Sequence, residues 1–209
     1  MPVIVLMSNK GGAGKTTLCV NLAVAMSSHY PTAVLDADPQ QSSSHWYNIA
    51  EGQAPFALVT SSQNIQHELR NIATQYSHVL VDCPPAADCE QVKQALRVAD
   101  LAIIPVQPSP VDIWATIHAE SEISLARKHN PALQALLVIN QFESRTQLSK
   151  LMRRALAELS LPTAKTQVKR RAVYRNSFLE GRTVHGMGFK GEAASREIIQ
   201  LLEEMEKKL

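Results

Sequence analysis

The chain has no long apolar run and only three cysteines, and these two features restrict the classes of protein to which it can belong. No stretch of 18 apolar residues occurs among its 209 residues, so no segment is expected to span a membrane. The first residues begin an apolar strand at once, without the basic and then apolar layout of a signal peptide. Three cysteines with no C-x-x-C pair offer no disulfide framework and suit a reducing cytoplasm. The seven histidines form no H-x-x-x-H pair, so no zinc site is proposed.

What the chain does have is the composition of one globular unit. Hydrophobic residues make up 45% and charged residues 19%, which are ordinary proportions, and no internal repeat or low-complexity segment is present. A chain of this length can bury a sizeable core on its own. We therefore expect a single domain over 1–209, with a basic C-terminal third at about 144–190 and a terminal helix at about 192–208.

The most informative segment is SNKGGAGKTT, residues 8–17, which follows an apolar strand at 3–7 and precedes an apolar helix at 18–26. Glycines at this junction let the backbone turn its N–H groups onto phosphate oxygens. In such a phosphate loop Lys15 reaches the β- and γ-phosphates and the Thr16 hydroxyl ligates Mg²⁺. The expected nucleotide-binding residues are Gly11, Gly12, Ala13, Gly14, Lys15, Thr16 and Thr17.

The loop departs from the usual pattern G-x-x-x-x-G-K-[ST] in two ways. Asn9 stands where the first glycine belongs, and a second lysine, Lys10, lies five residues before Lys15. Two ammonium groups on so short a loop are costly unless a polyanion lies between them or a second subunit receives one of them. The loop therefore indicates either a bound polyanion or a dimer.

The segment KGGAGKTT, residues 10–17, resembles the deviant Walker A motif of the ParA/MinD family of dimerising ATPases, and the later motifs extend the resemblance over essentially the whole chain. The resemblance implies ATP and Mg²⁺ as cofactors and an ATP-dependent homodimer. It also implies a catalytic pair of lysines, in which Lys15 stays within its own loop and Lys10 reaches across to the partner's nucleotide.

Two carboxylates, Asp36 and Asp38, close the apolar strand that starts at Val34. On a regular strand residues two apart point to one face, so both would point the same way. The segment DADPQ, residues 36–40, resembles the family's D-x-D-P-Q switch segment. By that resemblance Asp38 positions the attacking water and Asp36 supports Mg²⁺ through its hydration shell. The alternative is that these carboxylates only cap the following helix.

A further carboxylate, Asp82, ends the apolar strand 78–82 and is followed by C-P-P, the pattern of a Walker B strand. Asp82 is expected to hold Mg²⁺ indirectly, through water or the Thr16 hydroxyl. Cys83 and Cys89 nearby resemble the cluster-bridging cysteines of a relative, the nitrogenase iron protein, but without a C-x-x-C or C-G-G environment buried thiols are the better interpretation.

Alternation of strands and helices predicts an α/β fold, a doubly wound and mostly parallel sheet flanked by helices, as in P-loop NTPases of the deviant Walker A type. Further strands are expected at 55–59, 101–106 and 133–140. Further helices are expected through Trp46, at 61–74 with Ser61 as N-cap, from about Pro110, and at 148–159, 172–179 and 192–209.

Two segments late in this order resemble family features. The turn at 107–112 resembles the P-x-x-P-S-x-x-D segment, which lies near the dimer interface. Asn140 ends its strand where related proteins read the adenine edge, and plain strand-end capping is the alternative.

Charge is unevenly distributed along the chain. Between residues 144 and 190 eleven basic residues face only two acidic ones, a net charge of +9 on a chain whose total is +2. Such asymmetry is typical of a surface that binds a polyanion. The family resemblance implies nonspecific double-stranded DNA, and a solvated face, an RNA or acidic-protein surface, or contacts to the nucleotide or cargo partner are the alternatives. The candidate DNA-binding residues are Lys165, Lys169, Arg170, Arg171 and Arg175.

Taken together, the motifs predict a cytoplasmic, nucleoid-associated ATPase that positions or segregates a plasmid, a chromosome or an organelle such as the carboxysome. A ParB-like or organelle-adaptor partner would stimulate hydrolysis. The tail 192–209 is net acidic, unlike the basic membrane anchor of MinD-like proteins, so no membrane contact is expected. Because the phosphate loop begins at residue 8, no N-terminal helix-turn-helix module is expected. A MinD-like membrane regulator and a metal-cluster carrier ATPase are the competing classes.

Overall fold

The computed structural model describes residues 1–61, 64–143, 151 and 154–209. Within them, six parallel strands form one sheet in the order β3-β2-β4-β1-β5-β6. The change of direction beside β1 is the topological switch point at which such sheets bind ligands. The predicted doubly wound fold is confirmed. The strands are β1 Val3–Leu6, β2 Thr32–Asp36, β3 Ala57–Thr60, β4 His78–Asp82, β5 Leu101–Val106 and β6 Gln134–Ile139.

Helices cover both faces of this sheet. Those described are α1 Lys15–Ser27, α2 Ser42–Ile49, α3 Ile65–Ile72, α4 Glu90–Leu96, α5 Pro110–Ala126, α6 Ala172–Leu179 and α7 Glu192–Glu206. Two short 3₁₀ turns, Val184–Gly186 and Gly188–Lys190, precede α7. Over the stretches of chain that the structure describes, no helix is both long and apolar enough to cross a bilayer.

The central strands are apolar on both sides because each face packs on helices. In β1, Val3 and Val5 face the core beneath α3, α4 and α5, whereas Ile4 and Leu6 face the core beneath α1, α2 and α7. Burial on both faces explains the continuous apolar runs that predicted these strands. The polar ends of the strands are therefore the part of the sheet that remains available for a site.

Two helices begin at other residues than the sequence predicts, and one helix was not predicted. The first helix begins at Lys15, three residues earlier than expected. Helix α3 begins only at Ile65, because Asn64 rather than Ser61 is its N-cap and accepts a hydrogen bond from His67 N at 3.1 Å. Ser61 lies four residues before the helix and still belongs to the extended chain, since its N–H continues the β2–β3 pairing by donating to Asp36 O. The short helix α4 was not predicted.

The predicted helix at 148–159 lies partly outside the described residues, and 154–157 are helical. Beyond it the chain runs beside β6: Ala164 N donates to Leu137 O at 2.8 Å and Val168 N donates to Ile139 O at 2.9 Å. We call residues 165–175 the basic segment. This pairing carries the basic segment along the sheet edge towards the carboxyl end of β6, where the candidate site lies.

Candidate functional site

The loop between β1 and α1 has the backbone shape of an anion site. Gly12 and Gly14 adopt left-handed φ values of 76° and 92°, which glycine reaches without strain. Gly14 is the N-cap of α1, and no side chain caps the first turn of this helix. A side chain at Gly14 would also collide with the Asn140 amide. Free N–H groups at the start of a buried helix favour a bound phosphate.

Lys15 is enclosed by this loop. It is 6% exposed, and its Nζ lies 3.4 Å from Ser8 Oγ, a long contact. Burial lowers the pKa of Lys15, and the nearby carboxylates Asp82 and Asp38 act in the opposite direction. Among the described residues no carboxylate comes within ion-pair distance of its ammonium group. The side chain is thus a buried cation whose positive charge has no direct partner.

Asp82 and Thr16 stand beside Lys15 at the end of β4. The Asp82 carboxylate is fully buried and accepts a hydrogen bond from Ser43 Oγ at 2.7 Å. Its other oxygen, Oδ1, is buried without a hydrogen bond of normal geometry to any described residue. Burial raises the pKa of Asp82 to about 6, although the hydroxyls of Ser43 and Thr16 oppose the shift. An unsatisfied buried carboxylate oxygen next to a hydroxyl fits a hydrated Mg²⁺.

Asp36 is paired in register with Asp82 on the neighbouring strand, and it is also buried. Its Oδ2 accepts hydrogen bonds from Ser44 N at 2.8 Å and Ser44 Oγ at 2.7 Å. Asp36 therefore caps the first turn of α2, as one alternative held, and it lies one strand from Asp82. Its role in supporting Mg²⁺ stays a prediction.

Asp38 lies beyond the end of β2, so the strand-face argument does not apply to it. It is half-buried, and its Oδ1 accepts a hydrogen bond from Gln40 N at 2.9 Å. Its charge is close enough to act on Lys15. The structure thus brings Asp38 to the phosphate-loop end of the sheet, and its role in orienting water stays a prediction.

The second lysine of the loop has a partner within its own chain. Lys10 Nζ donates to Asp112 Oδ2 at 2.7 Å, and the Lys10 side chain is 35% exposed whereas that of Asp112 is 3% exposed. Asp112 lies in the first turn of α5, and Ser109 Oγ donates to the same oxygen at 2.5 Å. This contact confirms that α5 starts at the expected turn, and it places the start of α5 against the phosphate loop.

A cavity of about 490 Å³ opens beside Gly14 and Thr17, a size in the range of small-molecule sites. Leu18, Val168, Tyr174 and Phe178 supply apolar walls, and Asn140 lies at its edge. Asn140 is buried and its Nδ2 donates to Ala13 O at 2.7 Å, which leaves its carbonyl oxygen as an acceptor. This arrangement suits a base with an exocyclic amino group, while the bond to Ala13 also serves the local backbone.

Four of the five candidate DNA-binding residues line the same cavity, namely Lys169, Arg170, Arg171 and Arg175. Lys165 lies further along the sheet edge.

The structure also reveals acidic partners that the charge count missed. Arg171 donates to Glu197 Oε1 at 2.7 Å, and this bond raises the pKa of Arg171. Arg170 pairs with Glu143 at 3.0 Å, where both side chains are exposed. The backbone amides of Lys165 and Thr166 donate to the Glu204 carboxylate at 2.7 Å each. Glu197 and Glu204 are seven residues apart and therefore lie on one face of α7. This spacing was the sequence signal that could have indicated acidic partners for the basic segment.

The cysteines divide into two kinds. Cys19 and Cys83 are fully buried, and burial raises the pKa of both thiols. Cys89 is only half-buried, so the description as a buried thiol is wrong for it. Throughout the described ranges, no group of three or more His, Cys, Asp or Glu side chains is arranged to hold a metal ion by itself. Any Mg²⁺ at Thr16, Asp36 and Asp82 would therefore need ligands from water and phosphate as well.

Comparison with known proteins gives a consistent result. Residues 4–184 match the family described as the CobQ/CobB/MinD/ParA nucleotide binding domain. The maintenance of carboxysome distribution protein A of Halothiobacillus neapolitanus is 38% identical over 200 residues, covering 94% of this chain and 92% of that protein. Protein ParA of Rhizobium radiobacter is 35% identical over 126 residues, covering 58% of this chain and 54% of that protein.

Among solved structures, a plasmid partition protein of Borrelia burgdorferi B31 bound to AMPPNP superposes with a TM-score of 0.79 at 19% identity, covering 100% of this chain and 99% of that one. At this identity the likeness supports the fold alone. The family match spans the phosphate loop, both carboxylate strands and the cavity, and the similarity to the carboxysome protein extends over nearly the whole chain. The chain belongs to the CobQ/CobB/MinD/ParA family of nucleotide-binding domains, on its ParA/MinD side.

Proposed function

We propose that the protein is an Mg²⁺-dependent ATPase that dimerises around two ATP molecules, binds DNA without sequence preference as that dimer, and positions a cargo through a partner that stimulates hydrolysis. The observation that carries the proposal is the pair of lysines in one loop. Lys15 is buried and has no ion-pair partner in the part of the chain that the structure describes, and Lys10 is held at the rim by Asp112. Lys15 serves the nucleotide of its own subunit, and Lys10 at the rim serves the nucleotide of the partner subunit.

The described side chains have a role for each part of the reaction. Lys15 and the N–H groups at the start of α1 bind the phosphates, and Asn140 faces the base. Thr16, Asp82 and Asp36 would hold Mg²⁺, which neutralises phosphate charge when bound. Asp38 is half-buried at the phosphate-loop end of the sheet. Its carboxylate accepts a hydrogen bond from the attacking water and thereby orients that water.

The dimer is supported by the surface next to Lys10. Among the described side chains of α5, the most exposed ones are Val111, Trp114, Ile117, His118, Ser121, Ser124 and Leu125, whereas the two glutamates Glu120 and Glu122 are half-buried. Trp114 is 67% exposed and Val111 is 57% exposed. Depletion of charge and enrichment in aromatic residues are typical of subunit interfaces. Because α5 starts at the Lys10–Asp112 pair, this face continues the surface that a partner carrying nucleotide would meet.

DNA binding is supported by the exposed cations of the basic segment. Lys165, Lys169, Arg170 and Arg175 are exposed, and such side chains give affinity for phosphates without base readout. Three of these four line the mouth of the nucleotide cavity. Bound nucleotide would therefore change the surroundings of the same cations that contact DNA, and this proximity would couple the two ligands.

The cargo follows from the relatives. A protein 38% identical over nearly the whole chain is named for carboxysome distribution, and a shorter match is to a ParA protein. A protein organelle of the carboxysome type is therefore the favoured cargo, ahead of a plasmid or chromosome. The membrane alternative is weakened by α7, because its apolar residues Ile198, Leu201 and Met205 are buried against the core and unavailable to lipid.

The test is binding to two unrelated DNA duplexes in mobility-shift assays, with ATP and with ADP, at several salt concentrations. We expect equal affinity for both duplexes, binding with ATP only, and a steep fall with salt, about −0.9 in log–log slope for each phosphate neutralised. Lys15→Ala is the nucleotide-blind control. Equal binding in ADP and ATP, or preference for one duplex, would contradict the proposal.

A further inference from the structure

Side-chain amides from the ends of β5 and β6 hold the phosphate loop from one side. Gln107 Nε2 and Gln141 Nε2 both donate to Gly12 O, the second at 3.2 Å. Asn140 Nδ2 donates to the next carbonyl, Ala13 O, at 2.7 Å. The three donors are separated from the loop by 95, 129 and 127 residues, so the sheet topology alone brings them there. Two consecutive carbonyls of the loop are thus turned towards β5 and β6.

The peptide geometry gives these bonds a consequence for ligand binding. In a trans peptide the C=O and the following N–H point in opposite directions. Gly12 O shares its peptide with Ala13 N–H, and Ala13 O shares its peptide with Gly14 N–H. Drawing the two carbonyls towards β5 and β6 therefore directs both N–H groups the other way, into the concave side of the loop at the start of α1.

This loop needs such support because its backbone is otherwise free to turn. Gly11, Gly12 and Gly14 have wide conformational freedom, and peptides between glycines flip easily. Gln141 itself adopts a left-handed φ of 54°, which is uncommon outside glycine and persists only where surrounding contacts hold it. The unusual backbone of Gln141 and its bond to Gly12 O thus occur at the same residue.

We infer that Gln107 and Gln141 are positioning residues that pre-organise the phosphate loop for the phosphate groups shared by ADP and ATP. The inference rests on the proposed nucleotide binding. Loop ordering before binding removes an entropic cost from association, so losing these bonds weakens affinity. Neither glutamine lies with Asp38 at the site of water attack, so the hydrolysis step at saturating ATP depends little on them.

The test compares Gln107→Met, Gln141→Met and the double variant with the unsubstituted protein. Methionine keeps the length of glutamine and removes its donor. Dissociation constants for ADP and for a non-hydrolysable ATP analogue are measured by calorimetry, and kcat is measured at saturating ATP. We expect about a fivefold weaker affinity for each amide lost and about 25-fold for the double variant, equally for both nucleotides, with kcat within twofold.

The matched control is Gln134→Met, at the opposite end of β6, where the side-chain amide donates to the nearby Ala132 O. It should bind both nucleotides like the parent. Melting temperatures of the nucleotide-free variants separate loop ordering from general damage, since both glutamines are partly exposed and their loss should leave the fold intact. Unchanged or tighter nucleotide binding by the double variant would overturn the inference alone. Failure of the parent protein to bind either nucleotide would overturn the proposed function as well.

Discussion

The two ends of the candidate site hold their cations in different ways. In the phosphate loop, Lys15 is buried and lacks an ion-pair partner among the described residues. In the basic segment, Arg171 is tied to Glu197 at 2.7 Å. A buried cation without a partner is costly to the free protein and gains most from an anionic ligand. Arg171 already has the carboxylate of the largely buried Glu197 on it and contributes mainly to the fold. The difference separates residues that bind a ligand from residues that position the segment.

Replacing Asp38 should produce the largest change in activity. The contrast between an available side chain and one engaged by the fold also holds for the two carboxylates Asp38 and Asp36. Among the described residues, the Asp38 carboxylate accepts a local backbone bond from Gln40 N and no other, which leaves it available to water, whereas Asp36 is engaged by Ser44. We expect Asp38→Ala to slow ATP hydrolysis by about 100-fold and to retain ATP and the dimer. Single-turnover hydrolysis and size-exclusion chromatography with ATP would measure both. Glu203→Ala, which removes an exposed carboxylate on α7, is the control, and normal turnover by Asp38→Ala would assign water orientation to another residue.

The two arginines Arg171 and Arg175 test the comparison within the basic segment. Arg175 is exposed and has no ion pair among the described residues, so Arg175→Ala should reduce the salt-dependence slope of DNA binding by about 0.9. Arg171→Ala should instead cost about 1 kcal/mol of stability, because it leaves the largely buried Glu197 unpaired. Salt titrations and thermal melts of both variants would decide. The comparison fails if Arg171→Ala weakens DNA binding more than Arg175→Ala while leaving the melting temperature unchanged.

The smallest effect is expected at Glu204, which anchors the start of the basic segment. Burial raises its pKa, but hydrogen bonds from the Thr166 hydroxyl and from the Lys165 and Thr166 amides outweigh burial, so the pKa is lowered from its ordinary value of 4.5. A lowered pKa means that ionised Glu204 stabilises the fold above pH 4.5, and that this stability is lost as the pH falls through the folded-state value. Glu204→Gln should therefore melt a few degrees below the parent at pH 7.

That difference should stay nearly constant between pH 7 and about 5 and shrink as the pH falls below 4.5, which a series of thermal melts would show. Glu203→Gln, an exposed neighbour on the same helix, is the matched control and should follow the parent at every pH. A gap for Glu204→Gln that stays constant with pH would mean that its charge does not anchor the segment.

Local patterns predicted much of this molecule from its sequence. The phosphate loop, its strand and its helix lie within one short stretch, so spacing alone specifies their geometry. Strands that are buried on both faces, such as β1 and β5, are recognisable in the sequence as continuous apolar runs. The error at α3 also has a local cause: Ser61 has the right chemistry for an N-cap, but its backbone still continues the strand pairing, so the helix begins later and Asn64 caps it.

What the sequence did not reveal depends on contacts between distant parts of the chain. Lys10 and Asp112 are 102 residues apart in the chain. The resemblance of 107–112 to the P-x-x-P-S-x-x-D segment predicts that this turn lies near the dimer interface, but it does not specify that Asp112 pairs with Lys10. Glu197 and Glu204 neutralise a segment that precedes them by 26 to 39 residues, and a count of charges along the chain contains no such information. Gln107 and Gln141 contact the loop only because their strands end beside it.

The central claim is that ATP joins two copies of the chain and that Lys10 leaves Asp112 to reach the partner's nucleotide. The most direct measurement is the molar mass by light scattering of the parent and Lys10→Ala, with ADP and with a non-hydrolysable ATP analogue, with Lys93→Ala, an exposed lysine on α4, as control. We expect the parent and Lys93→Ala to double in mass with the analogue only, and Lys10→Ala to bind it and stay a monomer. A dimer of Lys10→Ala with the analogue, or a parent that stays monomeric with it, would contradict the claim.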